Sequence, residues 1–519
     1  LAGGYVAPSS GGDPIANSKA IPTGKNLYSI NAETTPSEAA WDRGVLLVKN
    51  TIEDYQKRHN GEYPKKIAYT FWSSEFIETE GVTIAQVLYM LGVEPVRDTY
   101  GRITDVRLIP AKDLGRPRID VVIQTSGQFR DLAASRLFLL TKAIELASSA
   151  KDEGYENLVN KGSNDIEREL VKKGVSPKDA REMSQQRIFG GVNGNYGTAI
   201  QEMVTSSDKW ESDKEISETY MHNMGAVYGK EKEWGNHQKE LFRAALQNTD
   251  VIIQPRQSNT WGALSLDHVY EFMGGMNTAI RNVTGKDPDA YLADYRNHNN
   301  MKMQELKEAI GVEARATIFN PKYIKETISG GESSASKLTE IVTNTFGWKA
   351  TRPEAIDDEF WNKIYETYIE DKDNLGVKNF FKKESPAALQ EITAIMLETT
   401  RKGMWKANQQ QIQKLTDLHV ELVKEFGAEP GGFSGGNKKL QEYIASKTNP
   451  QDAKVYKNQL QKMSKGDASP SEQQDGKVLK KEEINKESQQ KVSLNGWFIG
   501  GAVVIVLIGL AFFLKKRRQ

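Results

Sequence analysis

Residues 267–271, Asp-His-Val-Tyr-Glu, form the densest local group of side chains able to move a proton or hold a metal. On a helix, Asp267 and Glu271 lie one turn apart on one face, and His268 and Glu271 converge at i, i+3. Two carboxylates and an imidazole so spaced can bind a divalent cation or work as a proton relay, although a solvated helix face has the same spacing. A second acidic group, Glu75, Glu78 and Glu80, stands in "WSSEFIETEG", between an apolar run and a helical pattern. The carboxyl end of a strand is where α/β proteins place ligand-binding loops. Acids at a helix entry also serve its dipole without any ligand. Arg116, Arg118 and Arg130 flank a single apolar run. Their guanidinium groups can grip a ligand's carboxylates in bidentate fashion, or equally pair with nearby Asp side chains.

Other chemistries are excluded or unsupported. The chain has no cysteine, so disulfides, thiolate metal sites, iron–sulfur clusters and thiol nucleophiles cannot form within it. Its six histidines include no H-E-x-x-H pair. No G-x-x-x-x-G-K-[ST] occurs, so the chain has no P-loop ATP site. "GGVNGNYG" has the wrong glycine spacing for a dinucleotide fingerprint, and no strand is expected to lead into it. With 69 basic and 69 acidic side chains and a formal net charge of +0, nothing points to a nucleic-acid partner.

These groups need elements to position them. Residues 65–72, 105–110 and 119–125 read as strands, and Ile84, Val87, Leu88 and Leu91 form one helical stripe. Residues 36–58 and 132–148 read as helices, so the expected class is α/β with a mostly parallel sheet, followed by a largely helical region. Within that region, residues 250–255 are a buried-strand candidate. The expected domains are an extended Gly/Pro-rich arm (1–45), an α/β domain (46–150), a mainly helical region (151–426), a flexible charged tether (427–493) and a membrane anchor (494–519). The anchor rests on the uncharged run from Trp497 to Leu514, which is followed by Lys515, Lys516, Arg517 and Arg518. A helix of that length, about 27 Å, matches a bilayer. The basic flank places the tail in the cytoplasm and the body on the extracytoplasmic side.

Long segments then occur in a fixed order: "GGYVAPSSGGDP", "WSSEFIETEGVTIAQVLYMLGVEPVRDTYGRITDVRLIPAKDLGRPRIDVVIQTSGQFRD", "RIFGGVNGNYG", "NPKYIKETISGG", "FGWKATRPEAIDDEFWNKIYETYIED" and "ETTRKGMW". In this the chain resembles, over about residues 2–425, the C-terminal part of the large subunit of cobaltochelatase (CobN) and of the H subunit of magnesium chelatase. The resemblance implies a subunit that binds a tetrapyrrole, haem or a corrin precursor, and inserts or removes a divalent metal, iron or cobalt. It implies that ATP is hydrolysed by separate AAA+ partners. The family's H-G-x-x-H-G-x-x-E-W-type motif is absent, so an N-terminal remainder or a split partner is expected. Where relatives commonly have H-G-Y-K-G-A, this chain has Gly330, Gly331, Glu332, Ser333, Ser334 and Ala335. Where cobalt-type relatives have two acids, it has Asp267 and His268, and an imidazole there favours iron over magnesium.

On this resemblance, Arg116, Arg118 and Arg130 are candidates for the tetrapyrrole carboxylates. Glu75, Glu80, His268 and Glu271 are candidates for proton transfer, and Asp267 with His268 for the metal. The anchor favours membrane-bound members of the superfamily that remove iron from haem. The alternative is a non-catalytic haem or corrinoid carrier that hands its ligand to an uptake transporter.

Overall fold

Runs of β-branched and aromatic residues without helical periodicity become strands. The structure, a computed structural model, describes residues 30–258, 261–297 and 299–464 together with Ile21 and Gly24. Its strands are β1 (Lys66–Phe71), β2 (Val93–Arg97), β3 (Ile103–Leu108), β4 (Asp120–Thr125), β5 (Ile188–Gly190), β6 (Ala226–Val227), β7 (Asn236–His237), β8 (Thr249–Arg256), β9 (Asp289–Asp294) and β10 (Lys302–Glu305). One sheet has the order β10-β9-β8-β1-β4-β5-β6-β7. It is parallel from β9 to β5 and antiparallel at both edges.

Both faces of this sheet are covered, which is why its central strands β1 and β4 are buried at every position rather than alternately. Ile67, Tyr69 and Phe71 of β1 point to one core, together with Val121, Ile123, Val251 and Ile253. Ala68, Val122 and Ile252 point to the other. The first core lies under helices Glu38–Arg58, Val82–Met90 and Ala134–Ser149. The second lies under Asp213–Asn223, Gly275–Thr284, Glu332–Thr351 and Pro386–Arg401.

Several expectations are corrected. Residue 150 is not a layer boundary, because β5 to β10 come from beyond it and complete the sheet begun by β1 and β4. The run at 105–110 does not join that sheet. It pairs as β3 with β2 in a separate antiparallel hairpin, where β3 buries only Ile103 and Val106. A strand, β5, does lead into the Gly-rich segment. The segment at 427–439 is not a free linker: Phe433 is fully buried, and Glu391 accepts hydrogen bonds from Phe433 N (2.8 Å) and Ser434 N (3.3 Å). Helices Lys438–Lys447 and Pro450–Ser464 follow, held by buried Leu440, Ile444 and Tyr456. Their apolar stripe is so narrow that overall composition hides it. Among the described residues no helix is long and apolar enough to cross a membrane. The run 497–514 lies outside the described residues.

Candidate active site

Parallel sheets open a crevice at the carboxyl ends of their strands where the chain reverses direction across the sheet. Here the chain moves from β1 to β4 and β5 on one side, then returns to lay β8 on β1's other flank. Trp72 follows β1, and Gln254, Pro255 and Arg256 end β8. Between them opens a cavity of about 540 Å³, also lined by Glu78, Trp261 and His268. That volume suits a small organic ligand.

The far wall is the segment 261–274. Three buried groups hold its first part. Glu313 accepts from Leu264 N (3.1 Å), Ser265 N (3.0 Å) and Ser265 Oγ (2.7 Å). Asn344 Nδ2 donates to Leu264 O (2.8 Å), and Trp348 Nε1 donates to Ala263 O (2.7 Å). Gly262 packs so tightly on the Glu313 carboxylate that no Cβ would fit. The second part enters a short helix, Asp267–Val269, then a π-helical turn, Tyr270–Gly274, whose five residues are all buried. Such turns recur at functional sites.

The π-turn brings the predicted pair together. His268 Nδ1 lies 2.8 Å from Glu271 Oε2. Glu271 Oε1 accepts from Thr198 N (2.7 Å) and Thr198 Oγ1 (2.9 Å). The carboxylate is therefore buried, fixed from behind and left with one oxygen for the imidazole. His268 itself is half exposed, with a side-chain exposure of 50% against 4% for Glu271. A carboxylate on Nδ1 fixes the tautomer, so Nε2 is the ring nitrogen left for chemistry. Its pKa is raised above the ordinary imidazole value by the hydrogen bond to Glu271, with help from the Asp267 and Glu271 charges, while burial opposes the shift. Trp72 flanks the ring, with centroids 6.1 Å apart.

Asp267 Oδ1 stands 3.6 Å from His268 Nδ1. Glu340 is held above the usual carboxylate range, first by burial and then by the Asp267 charge. Among the described residues no group of three or more His, Asp or Glu side chains is arranged to hold a metal.

The other sequence candidates lie elsewhere. Glu75 is buried beneath the crevice, where its Oε1 accepts from Thr79 Oγ1 (2.7 Å) and Thr83 N (3.3 Å), and burial pushes its pKa up to about 7. The acid of that segment that lines the cavity is Glu78. Glu80 adopts a left-handed conformation (φ 57°) and lines a different groove with Ser37, Arg97 and Tyr100. Arg116 and Arg118 are buried and spent on the fold. Arg116 donates to Pro117 O (2.8 Å) and Tyr89 O, and Arg118 to Asp152 (2.9 Å), Ile109 O (2.7 Å) and Gly92 O. Arg130 pairs with Asp131 (2.8 Å) and holds the Gly-rich segment through Gly191 O (3.1 Å). Arg118 and Arg130 thus take the Asp pairing that their spacing left open, and Arg116 binds backbone carbonyls instead.

Sequence reasoning passed over Arg256, Trp261, Thr198 and Glu313. Arg256 had a signal: it closes a buried strand at the same sheet edge as Trp72. Thr198 and Glu313 had none, since their partners lie 73 and 48 or more residues away.

The profile of the CobN/Magnesium Chelatase family matches residues 1–412. The chain belongs to this family. The whole cavity, from Trp72 to Leu292, falls within the matched region. Among its relatives is the chloroplastic magnesium-chelatase subunit ChlH of Oryza sativa subsp. japonica, 30% identical over 81% of this chain and 30% of the relative. Another is the aerobic cobaltochelatase subunit CobN of Sinorhizobium sp, 30% identical over 78% of this chain and 31% of the relative. The solved catalytic subunit of cobaltochelatase from Mycobacterium tuberculosis superposes with a TM-score of 0.71 at 26% identity, over 77% of this chain and 33% of that one. The chain thus spans about a third of the length of these CobN and ChlH relatives.

Proposed function

We propose that this chain binds a tetrapyrrole in the Trp72–Trp261 crevice and exchanges its central metal. The observation that carries the reading is the His268–Glu271 pair, fixed by Thr198 and set on the rim of an aromatic-walled cavity. The CobN and ChlH relatives support the substrate class. Metal insertion releases two pyrrole protons for each divalent ion, and removal takes up two. His268 Nε2 is the group for this transfer, and Glu271 stabilises the imidazolium across Nδ1. Asp267, beside it, handles the metal ion as it leaves or arrives.

The Glu271 hydrogen bond that raises the His268 pKa favours the imidazolium, the form that delivers a proton to a pyrrole nitrogen. That supports removal, with haem as substrate and iron as the released metal. The terminal run and basic flank support an anchored body outside the cytoplasm. A haem-uptake transporter then fits as partner better than AAA+ subunits, alongside the further chelatase polypeptide that relatives of three times the length imply.

Anaerobic incubation of the full chain with haem and a reductant, supplying the polypeptide that completes it where one exists, should generate the fluorescence of metal-free porphyrin. Binding of haem without metal release would assign the carrier role instead, and failure to bind any porphyrin would refute both. The proposed topology has its own test. Protease added to intact spheroplasts should digest the body, and survival until the membrane is permeabilised would reverse the orientation.

A further inference from the structure

Three residues at the strand ends that line the cavity have buried polar atoms with no hydrogen-bond partner among the described residues: Trp72 Nε1, Gln254 Oε1 and Arg256 Nε. Buried polar atoms are paired in nearly all folded proteins, so three around one cavity require a reason. Arg256 is the most telling: its side chain is partly exposed, but its buried Nε finds no acceptor, and an unpaired buried donor is costly. Its neighbours are engaged elsewhere. Asp294 is gripped by Arg296 Nε (2.8 Å) and Nη2 (2.7 Å). Glu313 is committed to Leu264 and Ser265. Burial and then the Arg296 cation hold the Arg256 pKa below its ordinary value, and the charges of Glu313 and Asp294 only partly compensate.

Arg256 ends a strand that hydrogen-bonds through its backbone, and β9 pairs with it at Asp294. Gln257, next in sequence, bridges to Ser74 Oγ (2.7 Å) across the cavity mouth, which joins the β8 and β1 ends into one rim.

We propose that Arg256 is the anion-receiving group of this cavity and takes a peripheral carboxylate of the bound macrocycle. The inference rests on the tetrapyrrole reading above and adds an orientation to it. The carboxylate edge of the ring lies toward the end of β8, and the pyrrole nitrogens lie toward His268. It also moves the carboxylate contact away from Arg116, Arg118 and Arg130, which are spent on the fold.

Protoporphyrin IX and its dimethyl ester differ only in the charge and donor capacity of those carboxyl groups. Titrating each into the full chain, followed by quenching of tryptophan fluorescence, should show the diacid binding about tenfold to hundredfold more tightly, as for a hydrogen bond to a charged group. Arg256→Gln should abolish that preference and leave affinity for the ester unchanged. If Arg256→Gln keeps the preference, the inference is overturned while the pocket reading stands. If the wild-type chain binds neither porphyrin, the functional reading falls and takes the inference with it. Should Arg256→Gln lose the ester as well, Arg256→Lys decides: a retained preference supports the inference, and equal binding of the two ligands overturns it.

Discussion

His268→Ala should lower metal exchange by about 10²–10⁴-fold, the range for loss of a positioned acid–base group, while porphyrin affinity changes little. The side chain is half exposed, but it is the partner of the buried Glu271 Oε2, so the variant should stay folded and melt somewhat below the wild type. Glu271→Gln tests the same pair more sharply. The amide oxygen can still accept from Thr198, which turns the NH₂ toward His268 Nδ1. The imidazole then has to carry its proton on Nε2, and the imidazolium loses its counter-charge. The His268 pKa should therefore fall, and the pH at which metal release declines should fall with it. A mutant with wild-type release, or with an unshifted imidazole in a histidine-resolved NMR titration, would refute the relay.

Asp120→Ala should be the most destabilising single change in the sheet. Lys66 and Asp120 face each other in the β1–β4 register, at the end of the strands away from the crevice. Asp120 receives Lys66 Nζ at 3.2 Å and Arg187 Nε at 3.1 Å, and all three side chains are at most 2% exposed. Ser163 Oγ and Ala245 O take further donors at 3.1 Å and 2.7 Å. Removing the one anion leaves two buried cations, a loss of about 3–5 kcal/mol by comparison with other broken buried pairs.

The pH dependence is set by Lys66. Burial pushes its pKa down to about 8 against the opposing pull of Asp120. The folded state thus holds this proton less tightly than the unfolded chain, so the cost is fully present below about 8 and is relieved as pH rises toward the unfolded value. In Asp120→Ala the pull of Asp120 is gone, so the Lys66 pKa falls further and stability should recover at lower pH than these values imply, beginning below about 8. Lys66→Met removes the excess cation and keeps the Asp120–Arg187 pair, so it should be close to neutral. Equal denaturant midpoints for the two variants would sink this account.

Much of this was legible from local chemistry. β1, β4 and β8 follow from apolar runs, and helices Glu38–Arg58 and Ala134–Ser149 from periodicity, because buried elements impose their period on the side chains. His268 and Glu271 are three residues apart, so a helical turn alone was enough to suggest that they meet. Long ordered motifs marked the family, and the absence of a P-loop and of cysteine needed only the sequence.

Tertiary structure decided the rest, through pairings between residues far apart in the chain. Arg116, a candidate from sequence, and Arg256, passed over there, look alike in sequence. One is spent on Tyr89 and Pro117 carbonyls, and the other has a buried Nε without a partner among the described residues, beside a cavity. Glu75 and Glu78 differ by three positions on one short helix, which turns one into the core and the other toward the crevice. Thr198 reaches Glu271 only because the segment after β5 crosses the sheet edge to the π-turn. Spacing along a chain fixes which side chains share a face. Only the packing of one element against another decides whether a charge on that face is already neutralised or still available to a ligand.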